Sequence, residues 1–261
     1  MKILLTNDDG LYSAGLRAAY TALKEFGEVF VVAPAVQRSG VGRSLSIMEP
    51  IRVSEVKVNG MNVFAVDGTP TDSVIVGMYE IIGDIPDLTV SGINLGENLS
   101  TEAVTTSGTV CAALEAATHG SMAIAISLQM PDITKFDLTC EDDFSFAERV
   151  LKDIVRVVVM KGLPEGVDLL NVNVPSKPNG KIAVTKLARK MYRVRVEKRL
   201  DPRGRAYYWI HGDEVEEAER GTDIHFLRLG YVTVTPLSID LTARVGFDEI
   251  GRWFDGVRWE V

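Results

Sequence analysis

The stretch MKILLTNDDG (1–10) decides how the chain is read: an apolar run, Ile3 to Leu5, leads into two adjacent carboxylates, Asp8 and Asp9, and stops at Gly10. Side chains alternate across an extended strand, so the two aspartates serve one site only where the backbone has already turned, which Gly10 permits. The pair therefore belongs to a loop between a strand and a helix. Two carboxylates this close raise each other's pKa unless a cation lies between them or one of them caps the next helix. An N-cap aspartate is the ordinary alternative, and these ten residues leave it open for one of the two.

Working outward, strand-like and helix-like runs alternate. ILLT is followed by a helix over about 13–25, VFVVAP by a long loop and NVFAV, and then by a helix over about 71–82. DLTVSGIN, a helix over about 108–118, MAIAIS, a helix over about 143–160 and VDLLNVNV continue the pattern. Apolar runs bounded by turn residues and separated by helices predict an α/β fold with a mostly parallel sheet covered on both faces. Ligands of such sheets bind outside the carboxyl ends of the strands. The pattern changes near Pro175: residues 181–211 read as a meander or long hairpin around the turn DPRGR. Arg193, Arg195, Lys198, Arg199, Arg203 and Arg205 make it basic. Such a segment is either a solvated hairpin tip or an arm reaching a partner subunit or an anionic substrate. The expected division is a catalytic core over 1–178 and a hairpin arm with an oligomerisation segment over 179–261.

The chain has 261 residues, 46% of them hydrophobic, and a formal net charge of −8. That charge argues against a binder of nucleic-acid polymers, which carries a basic surface. A small anionic substrate would need local compensation, which a divalent cation supplies. Cys111 and Cys140 show neither C-x-x-C spacing nor a histidine cluster, so no disulfide framework or zinc site is expected. The first residues already read as a strand, and no apolar run approaches the roughly 18 residues of a membrane span. A cytoplasmic protein without membrane association is expected.

Each strand of the repeat ends in a loop of small polar residues. AVQRSGVGRSLS holds Ser39, DGTPTDS follows NVFAV, and SGINLGENLS holds Asn94, Gly96 and Asn98. All lie at one edge of a parallel sheet, where Asp8, Asp9, Ser39 and Asn94 could converge. Carboxylate, hydroxyl and amide oxygens suit magnesium or manganese, and suit zinc or copper poorly. A phosphate cradle is also expected where TTSGTVCAALEAATHG begins a helix at Ser107, Gly108 and Thr109, because free N–H groups and the helix dipole face an anion there. Ser107 is equally an ordinary N-cap, and the two roles are compatible. His119, before Gly120, reads as a helix C-cap, and Thr222 and Asp223 before His225 read as a cap. No G-x-S-x-G elbow and no G-x-x-x-x-G-K-[ST] loop occurs. No G-x-G-x-x-G follows the first strand, which disfavours a dinucleotide-dependent oxidoreductase.

Taken in order, TNDDG (6–10), RSGVGRSLS (38–46), DGTPTDSV (67–74), SGINLGEN (91–98), SGTVCAALEA (107–116), LNVNVP (170–175), DPRGRAYYW (201–209) and GYVTVTPLSIDLT (230–242) resemble the SurE survival-protein family from end to end. The resemblance implies a Rossmann-like core and a metal-dependent 5′-nucleotidase that hydrolyses nucleoside monophosphates, in some members also 3′-nucleotides or short polyphosphate. It puts one magnesium or manganese ion per subunit on Asp8, Asp9, Ser39 and Asn94. It implies phosphate and substrate contacts at Asn94, Gly96, Asn98, Ser107, Gly108 and Thr109, with Asp8 and Asp9 catalytic. It also implies a homodimer or homotetramer that exchanges C-terminal segments. Where the family commonly has Tyr and Gly, this chain has Thr106 and Ser100. A nucleotide-binding regulatory module without turnover is the competing expectation.

Overall fold

The computed structural model describes residues 1–130 and 143–258; Cys140 lies outside them. In chain order the elements are β1 (Lys2–Thr6), α1 (Ala14–Leu23), β2 (Glu28–Pro34), β3 (Val53–Val58), β4 (Met61–Val66), α2 (Pro70–Val76), β5 (Leu88–Leu95), α3 (Ser100–Thr106), α4 (Gly108–Thr118) and β6 (Met122–Leu128). There follow α5 (Ser145–Lys161), β7 (Leu169–Val174), β8 (Ile182–Val184), β9 (Tyr192–Leu200), β10 (Ala206–Glu214), α6 (Asp223–Arg228), β11 (Val232–Leu237) and α7 (Phe247–Trp253). The helix expected over about 71–82 is α2 continued by a wider π-helical stretch, Gly77–Ile82.

Among the described residues the main sheet runs β3-β4-β2-β1-β5-β6-β7-β11-β8. The six strands from β4 to β7 are parallel, while β3 and β11 pair antiparallel with their inner neighbours. This is the doubly wound Rossmann order: the chain leaves β1 toward β2 and β4, then returns to its other side with β5, β6 and β7. The direction reverses between β1 and β5, where such sheets open a crevice for ligands. Alternation along the strands feeds two cores. Ile3, Leu5, Ile124 and Ile126 pack with α1 and α5, and Leu4, Ala123 and Ala125 pack with α2 and α4. On the second face small residues meet, with Ala112, Ala113 and Ala116 of α4 in the same cluster as the alanines of β6. The absence of bulk on both sides brings α4 close to the sheet.

Three features depart from the sequence reading. The long loop after β2 holds strand β3, joined to β4 by Asn59 and Gly60, both at positive φ; an Asn-Gly pair between alternating apolar residues is a hairpin signal. Of the meander or long hairpin expected over 181–211, β8 departs and pairs in parallel with β11 in the main sheet, whereas the hairpin is present as β9 with β10 in a separate two-stranded sheet. Its tip is the expected DPRGR turn, where Asp201 accepts the N–H groups of Arg203 and Arg205. Arg195, Arg199 and Arg205 pair with Asp213, Glu197 and Asp201, so half of the basic residues of the arm are matched by local carboxylates. Finally, α3 forms within the stretch of small polar residues that the sequence presents as a loop. Its start is pinned by Asp223, a buried carboxylate that accepts the N–H groups of Ser100, Ala188 and Ile224 at 2.7, 2.9 and 2.9 Å.

Ser100, where the resemblance leads one to expect glycine, occupies a conformation that suits glycine better. It has φ +69°, and its hydroxyl is buried without a hydrogen-bond partner. The left-handed conformation costs a side-chain-bearing residue about 1–2 kcal/mol, and an unpaired buried hydroxyl adds to it. Ser100→Gly should therefore stabilise the protein despite the greater freedom of glycine in the unfolded chain, by about 1 kcal/mol, or roughly 2–4 °C in Tm for a chain of this size. A thermal melt of the variant checks this; an unchanged or lower Tm would refute it.

Candidate active site

At the carboxyl end of β1 the chain turns through Asn7, Asp8, Asp9 and Gly10. Asn7 Nδ2 donates to Gly10 O at 3.1 Å and to the N-cap hydroxyl of Ser13 at 2.9 Å. The N-cap of α1 is therefore Ser13, whose hydroxyl accepts the Leu16 N–H, so neither aspartate is spent on that cap. Gly10 adopts φ +92° beside the backbone of Val36 and Gln37, which lets the turn press against the loop after β2.

Asp8 is buried against the first turn of α4. Thr109 Oγ1 donates to Asp8 Oδ1 at 2.5 Å. A Cβ on Gly108 would lie 2.7 Å from Asp8 Cβ, so the approach depends on glycine there. Asp9 leans the other way, and its Oδ2 accepts the Leu95 N–H at 3.0 Å, which sets it beside Asn94. Asn94 donates its Nδ2 to Gly96 O at 2.6 Å, which orients the amide and leaves Oδ1 as its acceptor atom. Ser39 arrives on the loop after β2. Arg38 N–H donates to Asp8 O at 2.7 Å, Gly42 N–H to Thr106 O at 2.9 Å, and the exposed Ser39 hydroxyl accepts from Gln37 Nε2 at 3.0 Å.

The expected phosphate donors divide. Ser107 caps α4 by accepting the Val110 N–H, and its own hydroxyl proton remains to be donated. Thr109 is committed to Asp8. Asn98 is buried in a supporting network, donating Nδ2 to Ser127 Oγ at 2.8 Å and its N–H to Asn173 Oδ1 at 2.8 Å, while its carbonyl accepts from Asn171 and Asn173. Asn171 and Asn173 escaped the sequence reading as site supports. Two asparagines in an otherwise apolar buried strand were the available signal, since buried polar groups are kept where they are hydrogen-bonded. His119 is the α4 C-cap as expected, and its ring also reaches Glu115 and Tyr79. Thr222 caps α6 as expected. Thr106, next to Ser107, lines a cleft of about 290 Å³ between α3 and the base of the β9–β10 hairpin.

The donor set fits a hard divalent cation. Among the described residues no three His, Cys, Asp or Glu groups form a metal cluster, so a cation here would rest on two carboxylates and neutral oxygens. Burial raises the pKa of Asp8 against the pull of Thr109. Burial, and then the charge of Asp8, push Asp9 up to about 7, against the Leu95 N–H. Two adjacent carboxylates, Asp8 buried and Asp9 half-buried, both disfavoured as anions and, among the described residues, paired with no lysine or arginine, are what a cation stabilises.

A pH dependence follows. Because Asp9 titrates near 7 when folded and near 4 when unfolded, the native metal-free protein holds this proton more tightly. The stability contributed is complete below about pH 4 and is lost as the pH rises through about 7. A divalent cation competes with the proton, so Mn²⁺ should raise Tm more at about pH 8 than at about pH 6. Melts with and without Mn²⁺ over that range test this, and a stabilisation independent of pH would contradict it.

Comparison with known proteins gives a single family. A family model described as survival protein SurE matches residues 3–194. A protein of Archaeoglobus fulgidus named 5′-nucleotidase SurE is 80% identical over 261 residues, covering 100% of both chains. One of the same name from Methanosarcina acetivorans is 51% identical over 259 residues, covering 97% of each. The crystal structure of the SurE protein from Aquifex aeolicus is similar with a TM-score of 0.81 at 38% identity, covering 98% of this chain and 99% of that one. With the family model spanning most of the sequence and such relatives aligned from end to end, the chain belongs to the SurE survival-protein family.

Proposed function

We propose that the chain is a 5′-nucleotidase: it hydrolyses nucleoside 5′-monophosphates to nucleoside and phosphate, with a magnesium or manganese ion held by Asp8, Asp9, Ser39 and Asn94. The observation that carries the reading is the charge-starved pair of carboxylates at the reversal point between β1 and β5, Asp8 buried against the N-terminus of α4 and Asp9 half-buried beside Leu95. The names of relatives aligned over the whole chain support it.

A bound cation supplies Lewis acidity toward a phosphoryl oxygen and acidifies a water. The chain's own groups do the rest. Thr109 and the first turn of α4 hold Asp8 in one orientation, and the Leu95 N–H holds Asp9. The Ser107 hydroxyl and the Gly108 N–H donate to the equatorial phosphoryl oxygens, aided by the helix dipole. Asp9, less buried than Asp8 and without the Thr109 hydroxyl, accepts the proton of the attacking water. The cleft beside Thr106 is space for the nucleoside. Activity toward 3′-nucleotides and short polyphosphate belongs to the same reading as an extension of substrate range.

A homodimer or homotetramer and a cytoplasmic location are further parts of the proposal. Among the described residues no helix is long and apolar enough to cross a membrane. Val196, Trp209 and Ile210 on the hairpin and Phe247, Trp253 and Phe254 near the C-terminus are exposed apolar groups of the kind that subunit interfaces cover. Light scattering should give a multiple of the chain mass, reduced to the monomer by Trp209→Glu with Ile210→Glu; a monomeric wild type would refute the assembly.

The decisive experiment is phosphate release from a panel of nucleoside monophosphates, with and without Mg²⁺ or Mn²⁺. Metal-dependent release is expected, falling about a hundredfold or more in Asp8→Asn and about ten- to a hundredfold in Thr109→Val. Nucleotide binding without release under any metal would favour the regulatory module. Solvent oxygen-18 appearing first in a protein carboxylate would replace the water with an aspartyl nucleophile.

A further inference from the structure

Arg43 stands four residues beyond Ser39 in the irregular segment 35–52, and the sequence reading gave it no role. Its Nε donates to Glu115 Oε2 at 2.6 Å and its Nη2 to Thr118 Oγ1 at 2.9 Å. Glu115 lies on α4 with its side chain almost wholly buried, although the Arg43 side chain remains 42% exposed. The second oxygen of Glu115 is met by His119 Nε2 at 3.0 Å, and His119 Nδ1 by the Tyr79 hydroxyl at 2.9 Å. The acceptor of Arg43 is thus itself held from behind, by the π-helical stretch that continues α2.

Helix α4 therefore meets the site twice. Its first turn seats Asp8, and about 9 Å further along its axis Glu115 takes hold of the loop that carries Ser39. The rest of that loop is tied by backbone hydrogen bonds, Arg38 N–H to Asp8 O and Gly42 N–H to Thr106 O, and beyond Arg43 by Ser46 to Asp72. A planar guanidinium suits two acceptors at once; an ammonium does not reproduce that fork.

We propose that Arg43 is a positioning residue for the metal site: clamped on Glu115 and Thr118, it fixes the Ser39 loop to the helix that seats Asp8, so that both oxygens keep one frame. The proposal rests on Ser39 being a metal ligand.

The test is calorimetric titration of Mn²⁺ into the purified full chain, alongside nucleotide hydrolysis and metal-free thermal melts. Arg43→Ala should raise the Mn²⁺ Kd roughly ten- to a hundredfold and lower kcat/KM in a protein that still melts cooperatively, with a metal-free Tm lowered by the loss of a partner for the buried Glu115. Arg43→Lys should fall in between. Adding Arg43→Ala to Ser39→Ala should weaken binding little further, because the first acts through the second. Wild-type affinity in Arg43→Ala, with Ser39→Ala weakened, overturns the proposal and leaves the ligand set standing. Unaltered affinity in Ser39→Ala overturns the ligand assignment, and the proposal with it. Should Arg43→Ala fail to fold, Glu115→Gln replaces it: weaker Mn²⁺ binding supports the clamp, and wild-type binding overturns it.

Discussion

The carboxylate of Asp8 rests on the first turn of α4, and the rest of the site takes its position from that contact. Three properties of the chain make it possible. Gly108 has no Cβ to strike Asp8, Thr109 supplies a hydroxyl to hold Oδ1, and alanines on α4 and β6 let the helix sit close to the sheet. The helix N-terminus favours a negative group by its dipole and unpaired N–H groups. Burial works against that preference and keeps the Asp8 pKa raised. The balance leaves a carboxylate held in place and short of compensating charge, which is the condition for recruiting a cation rather than a structural ion pair.

Everything else brings oxygen to that point from segments with little regular structure of their own. Residues 35–52 take their order from anchors on the elements around them, among them Asp8, Val66, Thr69, Asp72, Thr106, Glu115 and Thr118. Asp9, in the turn after β1, is fixed to the end of β5 beside Asn94 by the Leu95 N–H, while Asn98 is tied to Ser127, Asn171 and Asn173. Ordering a loop residue costs about 1–2 kcal/mol of backbone entropy, so such a segment stays in place only where side chains over-determine it. The buried asparagines do this without adding charge near the carboxylates.

Part of this was legible in advance. The βα alternation, read from ILLT, VFVVAP, DLTVSGIN and MAIAIS, agrees with the central strands, because buried parallel strands need continuous apolar runs whatever surrounds them. The limits of α4 at Gly108 and Thr118 match because Ser107 caps the helix locally. The reading missed β3, although Asn59-Gly60 marked its turn, and α3, whose start depends on Asp223 more than a hundred residues away. It joined β8 to the hairpin, because three residues cannot reveal which strand they will pair with.

The sequence by itself determined which strands are apolar, which loops carry oxygen donors, and that Asp8 and Asp9 stand together at a strand end; these follow from local pattern and from side-chain chemistry. Only the tertiary structure decided that Asp8 turns to α4 and Asp9 to Leu95, that Thr109 serves Asp8, that Asn98 supports its loop, and that Arg43 reaches Glu115. Those assignments depend on contacts between residues many positions apart, and a side chain's partner there is set by which helix lies over which strand.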